Sequence, residues 1–319
     1  MIQFPPFQYA FRMERGVFAR SEDEGVRLIM NIAFIVNPAA GTGFAVQVMS
    51  SLEKILLDRH ISYQVMMTER PGYAKELASS LAGEENISAV VSVGGDGTAG
   101  EVASGLSGTT KPMGIIPAGT GNDFIKTVGI PNDPEKALEL ILTGNPVPTD
   151  TGLVNEQFFL NVCGTGFDVT VLDYAEAEKK KHRGLLPYFL GLIKAIFHYR
   201  SVKLKIQTDD HDEEGEYLVC SIANGRFIGG GIPICPKAST DDGLLNLVLI
   251  ANVHRWQIPF YLPGLMLSRS LHFHITRHFL VHQVHISGDQ LRINIDGEIV
   301  SLSDAVFRIN PASLQLIRP

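Results

Sequence analysis

The stretch 87–106, ISAVVSVGGDGTAGEVASGL, decides the fold. Residues 87–93 form an apolar run, the pattern of a strand covered by helices on both faces of a sheet. Gly94, Gly95 and Gly97 then break the run around Asp96, and Thr98 to Leu106 reads as a short helix. Working outward, 32–36 is another apolar strand, followed by NPAAGTG at 37–43. A further strand at 113–116 is followed by PAGTGNDF at 117–124. Val48, Leu52, Ile55 and Leu56 give 44–59 a helical period. Ile61, Tyr63, Val65 and Met67 alternate as a strand does, and 73–82 reads as a helix. Asp133 before Pro134 is an N-cap followed by proline at the first helical position, opening a helix to Leu142 that Gly144 ends. This alternation predicts a parallel sheet with helices on both faces.

Three glycine-rich loops each follow a short apolar strand, so all three belong at the carboxyl edge of the sheet, where open α/β folds bind ligands. Glycine lets backbone approach phosphate oxygens, and a following helix offers unpaired N–H groups. The expected phosphate contacts are Asn37, Gly41, Gly94, Gly95, Gly97, Thr98, Gly119, Thr120, Gly121 and Asn122, with Thr68 at the end of the neighbouring strand. Asp96 adds a carboxylate for Mg²⁺ or a magnesium-bound water. Glycines also serve as plain tight turns; three loops on one edge, one with an acid between glycines, favour phosphate. The chain has no GxxxxGK[ST], which excludes a P-loop. It also lacks GxGxxG after the first strand with an acid about twenty residues on, which argues against a dinucleotide-binding fold.

The chain has 319 residues, of which 45% are hydrophobic, enough for two cores. Its net charge of −7 argues against a nucleic-acid partner. Cys163, Cys220 and Cys235 form no CxxC pair and no disulfide framework, which suits a reducing, cytoplasmic compartment and small core residues. No eighteen-residue apolar run predicts a membrane span, and the first residues make a poor signal peptide. Residues 1–29 read unlike the rest: either a disordered extension or miscalled start before Met30, or an arm packed on the body. Past Pro148 the rhythm changes. Val202, Leu204 and Ile206 alternate, as do Leu218, Cys220 and Ile222, and Leu291, Ile293 and Ile295. The turn clusters DDHDEEGE (209–216) and STDDG (239–243) separate such runs, predicting antiparallel β with helical insertions near 184–199 and 254–270. The expected division is 1–29, an α/β domain over 30–148 and a β domain over 149–319, whose C-terminal segment packs back on the first.

GGDGT at 94–98 with PAGTGNDF at 117–124 resembles the diacylglycerol kinase catalytic domain and bacterial lipid kinases. NPAAGTG at 37–43 resembles the family's first nucleotide loop, and GIPNDPEKAL at 129–138 continues the likeness, which runs from about Met30 to the C-terminus. The resemblance implies an NAD kinase-like α/β nucleotide-binding domain followed by a β-sandwich, with ATP and Mg²⁺ in the cleft between them. It implies phosphorylation of a lipid hydroxyl, diacylglycerol to phosphatidic acid first among the candidates, by a protein held peripherally at a membrane. Asp296-Gly297-Glu298 looks like the family's element of catalytic carboxylates, which would act with Asp96. Asp241-Asp242-Gly243 looks like a structural Mg²⁺ loop, and Asp150 like a further acid near the site. Tyr73 departs from the pattern, standing where the family often has His or Asp.

A lipid hydroxyl is a weak nucleophile, and a carboxylate within reach can take its proton during transfer. Asp296 and Glu298 share one face if they lie on a strand, and converge in one loop if Gly297 turns. The cluster EAEKKKHR at 176–183 precedes an apolar helix carrying Lys194, a candidate contact for anionic lipid, or else a solvated run entering a core helix. Trp256, Phe260, Tyr261, Leu262 and Met266 form a second candidate lipid wall. His254, His272, His274, His278, His282 and His285 crowd one region, with helical metal spacing at 278 and 282, but no acid or cysteine completes a zinc set. An NAD kinase-like small-molecule kinase and a silent nucleotide-binding regulator are the competing readings. The loop GTGNDF speaks against the first and intact Asp96, Asp296 and Glu298 against the second.

Overall fold

A computed structural model describes residues 30–179, 182, 184 and 186–319. The expectations for 1–29 and for Lys180, Lys181 and Arg183 of the basic cluster lie outside the described residues. The first half alternates as its periodicity dictates: β1 (Asn31–Val36), α1 (Phe44–Asp58), β2 (Ser62–Met67), α2 (Tyr73–Leu81), β3 (Ala89–Gly94), α3 (Asp96–Leu106), β4 (Pro112–Pro117), α4 (Asp123–Val128) and α5 (Pro134–Thr143). The strands are parallel in the order β2-β1-β3-β4. Phe34, Val91, Ile116, Leu52 and Leu106 are buried in their shared core. Asp133 caps α5 through its carboxylate, which accepts the Lys136 N–H at 2.9 Å.

The second half holds β5 (Pro146–Val154), β6 (Gln157–Phe159), β7 (Val162–Gly166), α6 (Phe167–Lys179), α7 (Leu186–His198), β8 (Val202–Thr208), β9 (Asp212–Ala223), β10 (Leu245–Ala251), α8 (Ile258–Met266), β11 (Thr276–Val281), β12 (Gln283–Ile295) and β13 (Glu298–Ile317). Strands β9 and β12 each pair with β7 at one end and β8 at the other, so the pairing closes on itself. A register shift between Ser287 and Leu291 bends β12 to allow this. Leu204, Ile222, Val284 and Ile293 fill the interior, while α6, α7 and α8 pack with Val162, Leu218 and Val248 in a separate core.

Strand β13 links the halves. Phe307 lies in the sandwich core, whereas Leu314 and Leu316 lie in the α/β core, where Gln315 and Leu316 pair in parallel with β4. The fold class is therefore an NAD kinase-like α/β unit joined to a β-sandwich. The acidic cluster at 209–216 differs from its reading as a turn: β9 already begins at Asp212, because Asp212 to Tyr217 pair residue by residue with Gln207 to Val202 of β8. His278 lies on β11 and His282 just beyond it, so their spacing is not helical; the His278 ring meets the Asn246 Oδ1 at 2.8 Å. No helix among the described residues is long and apolar enough to cross a membrane.

Candidate active site

The loops after β1, β3 and β4 meet backbone to backbone. A methyl group on Gly119 would lie 2.3 Å from the Gly95 Cα, and one on Gly41 would lie 2.5 Å from the Ala118 carbonyl oxygen. Gly41 also sits at φ +57°, where a side chain is strained. Asn37 Nδ2 donates to Thr98 Oγ1 at 3.1 Å, and a methyl on Gly94 would strike that same oxygen at 2.5 Å. Gly97 and Thr120 stand exposed at the mouth, with open space around a Gly97 Cβ. Thr68 follows β2, and its N–H donates to the Val36 carbonyl at 2.9 Å beside the end of β1. Asn122 turns inward: its Oδ1 accepts the Gly119 N–H at 3.2 Å and its amide donates to Asn132 Oδ1 at 3.0 Å. It therefore shapes the loop.

Asp96 opens α3. Its Oδ1 accepts the N–H groups of Asp123 at 2.7 Å and Phe124 at 3.1 Å, capping α4 from across the loop. Burial pushes its carboxyl above the ordinary value, Asp123 adds to the rise, and the two amides and Lys126 oppose it. Asp123 and Lys126, absent from the sequence-derived set, tie this corner together. Asp123 Oδ1 meets Lys126 Nζ at 2.9 Å, and its Oδ2 accepts the Gly230 N–H at 2.8 Å. Gly229, Gly230 and Gly231 all have positive φ, so three consecutive glycines were the available signal for this second-half loop. A further residue outside that set is Glu101 on α3, which accepts the Gly72 N–H at 2.9 Å and the Ala74 N–H at 3.1 Å, fixing the start of α2.

Asp296 and Gly297 form the two-residue hairpin turn between β12 and β13, with Ile295 paired to Glu298. Their φ values of +47° and +101° match a type I′ turn, the geometry Asp-Gly favours. The two acids thus flank a turn and do not share a strand face. Asp296 points back into the protein. Its Oδ2 accepts the Leu160 N–H at 2.5 Å, and its Oδ1 accepts the N–H groups of Asn161 and Val162 at 3.0 Å each. Burial lifts its carboxyl to about 6 against these three amides, and the nearby Asp96 charge contributes to the rise. The hairpin turn and the glycine loops therefore lie close together. Glu298 is exposed, and among the described residues its carboxylate meets no hydrogen-bond or ion-pair partner.

Behind the turn, Asn294 Oδ1 accepts the Gly297 N–H at 2.7 Å and its amide faces Asp168 Oδ2 at 3.4 Å. Burial raises the Asp168 carboxyl to about 6, and among the described residues its Oδ1 is a buried acceptor with no donor. Asp241 and Asp242 lie in a separate group. Asp241 Oδ2 meets Arg318 at 2.9 Å and its Oδ1 takes the Ser239 hydroxyl, contacts that hold its carboxyl low. Asp242 caps Leu244 at 3.0 Å, and burial raises its carboxyl. Asp150 orders that loop by accepting the N–H groups of Gly243 and Ala312 at 2.7 Å each. Among the described residues no three His, Cys, Asp or Glu side chains converge as a metal cluster. The oxygen that could hold a divalent cation at the nucleotide loops is the Asp96 Oδ2, which accepts neither of the two amides.

A family model for the diacylglycerol kinase catalytic domain matches residues 31–154, and one for the YegS C-terminal NAD kinase beta sandwich-like domain matches 161–318. The chain is 32% identical over 259 residues to a Pseudomonas putida protein named "Probable lipid kinase YegS-like", covering 80% of this chain and 85% of that one. A protein from Mycobacterium tuberculosis named "Diacylglycerol kinase" is 27% identical over 298 residues, covering 91% and 96%. A crystal structure of a diacylglycerol kinase from Bacillus anthracis superposes with a TM-score of 0.74 at 24% identity, covering 91% of this chain and 97% of that one.

Proposed function

The chain belongs to the diacylglycerol kinase catalytic-domain family and is a lipid kinase, and from that premise we propose that it moves the γ-phosphoryl group of ATP onto the free hydroxyl of diacylglycerol at a membrane surface. The supporting observation is the proximity of the hairpin turn to the glycine loops: the Asp96 charge reaches Asp296, and Glu298 beside it is exposed and unpaired. In this reading the loops around Gly95, Gly97 and Gly119 bind the phosphates. Asp96 would hold Mg²⁺ there, and the ion would supply neutralising charge. Glu298 takes the hydroxyl proton as the alcohol oxygen bonds to phosphorus and ADP departs, so the products are phosphatidic acid, ADP and one proton on the carboxylate. Asp296 holds the turn through its three amides and keeps Glu298 aimed.

The test is transfer from γ-labelled ATP onto diacylglycerol, monoacylglycerol, a long-chain base and a prenol in mixed micelles, with mass analysis of the products. Phosphatidic acid as the main product supports the reading. Turnover confined to another lipid leaves the lipid kinase intact and overturns the choice of substrate.

A further inference from the structure

We propose that α7 and the segment 254–267 form one membrane-docking face, whose occupant is a bilayer carrying anionic headgroups; this rests on the reading that the acceptor is a bilayer lipid. Helix α7 is apolar on both sides. Pro187, Gly191 and Ala195 recur every four residues on its buried side, where Gly191 fits so closely against α6 that a methyl would lie 2.6 Å from the Val171 carbonyl oxygen. Two residues further round, Phe189, Ile193 and Phe197 recur every four residues on the opposite side and are 59%, 40% and 62% exposed. A helix apolar all round calls for cover on both sides, and among the described residues only one side is covered.

The second segment continues that surface. Arg255 Nη1 donates to the Phe197 carbonyl at 2.9 Å, joining the end of α7 to the turn that leads into α8. Trp256 and Phe260 beside it pack edge to face at 6.4 Å and are 65% and 76% exposed, with Met266 exposed at the end of α8. Twelve large apolar side chains stand exposed among the described residues, and eight of them lie on these two segments. Such a concentration marks an interaction surface.

Charge selects the occupant. From Lys179 to Thr208 the chain has no Asp or Glu but eight Lys or Arg. From Gly243 to Gly288 it again has no Asp or Glu, with three arginines and six histidines. Carboxylates from elsewhere in the chain pair with Lys194, Lys203, Lys205 and Arg277, whereas Arg200, Arg255 and Arg269, at the ends of these two segments, are exposed and carry no ion pair among the described residues. A second copy packed through the same face would set these arginines against their own copies, whereas an anionic headgroup layer attracts them while the aromatic groups enter the acyl boundary. The docking face thereby holds the enzyme where its substrate resides.

The experiment is co-sedimentation of the full chain with phosphatidylcholine vesicles, with and without about one third phosphatidylglycerol. It compares the wild type with Phe189→Glu/Phe260→Glu and with Trp256→Ser, and adds turnover on short-chain diacylglycerol dispersed without vesicles. The wild type should pellet with the anionic vesicles and less so at high salt. Each removed aromatic should weaken binding roughly tenfold or more, with turnover on the dispersed substrate retained. Variants that pellet like wild type overturn the proposal, as does a wild type that ignores vesicles while phosphorylating lipid in micelles. A wild-type dimer that the variants split, with vesicle binding unchanged, assigns the face to a second copy and also overturns it. Vesicle binding lost in the variants, with no diacylglycerol turnover even by wild type, leaves the docking face standing and sinks only the substrate assignment.

Discussion

Replacing Glu298 by Gln and, separately, Asp296 by Asn divides proton transfer from positioning. Glu298 is exposed and, among the described residues, unpaired, so Glu298→Gln should change stability by no more than about 0.5 kcal/mol. It removes the proposed base, and turnover should fall about 10²–10⁴-fold, or roughly 3–5 kcal/mol of barrier, with ATP affinity little changed. Asp296→Asn acts on different bonds. Its carboxylate accepts three amides, and an amide side chain can keep an oxygen on Asn161 and Val162 only by facing an NH₂ group to the Leu160 N–H. With the carboxyl lifted from an ordinary 3.8 to about 6, the neutral form suits the fold better, so removing the charge relieves about 3 kcal/mol at pH 7. The lost Leu160 bond costs about 1–3 kcal/mol, so the two effects largely offset at pH 7, whereas near pH 4, where the relief is gone, the variant should be less stable than wild type by about 1–3 kcal/mol. Urea unfolding and steady-state turnover at saturating ATP and lipid measure both quantities. A Glu298→Gln enzyme within about threefold of wild-type turnover places the base elsewhere. An Asp296→Asn protein as stable as wild type near pH 4 shows that the three amides do not hold the turn.

Three further substitutions probe the rest of the site. Asp96→Asn keeps an oxygen for the Asp123 and Phe124 amides, so circular dichroism and melting should match wild type while phosphoryl transfer is largely lost; full turnover refutes the role of its charge. Gly119→Ala drives a methyl into the Gly95 backbone and should lower both melting temperature and ATP affinity, the latter about tenfold or more, whereas Gly97→Ala enters open space and should lower affinity alone; calorimetry with ATP separates the two. Asp168 has its carboxyl raised to about 6 from an ordinary value of 3.8, so the protonated form favours the fold and that advantage disappears as pH rises from about 4 through 6. Asp168→Asn should therefore match wild type in stability near pH 4 and exceed it by up to about 3 kcal/mol above pH 6.5, and equal unfolding midpoints at both pH values contradict the assignment.

The sequence by itself determined the parallel sheet and its loops. Strands buried on both faces are written as apolar runs such as 89–93, and a phosphate-sized turn needs glycines within a few residues of one another, as at 94–97 and 119–121. The Asp-Gly hairpin was equally local, so its existence was legible at 296–297. What those residues do was not. The amides that hold Asp296 come from Leu160, Asn161 and Val162, well over a hundred positions away, and the Asp123 carboxylate reaches Gly230 across a similar gap. Closure of the β7, β8, β9 and β12 pairing, the passage of β13 from one core into the other, and the joining of α7 to Arg255 depend likewise on distant segments. Periodicity reports whether one face of an element is buried. It carries no record of which remote backbone buries it, and only the folded chain settles whether an acid such as Asp296 turns inward to three amides or, like Glu298, remains free to meet a substrate.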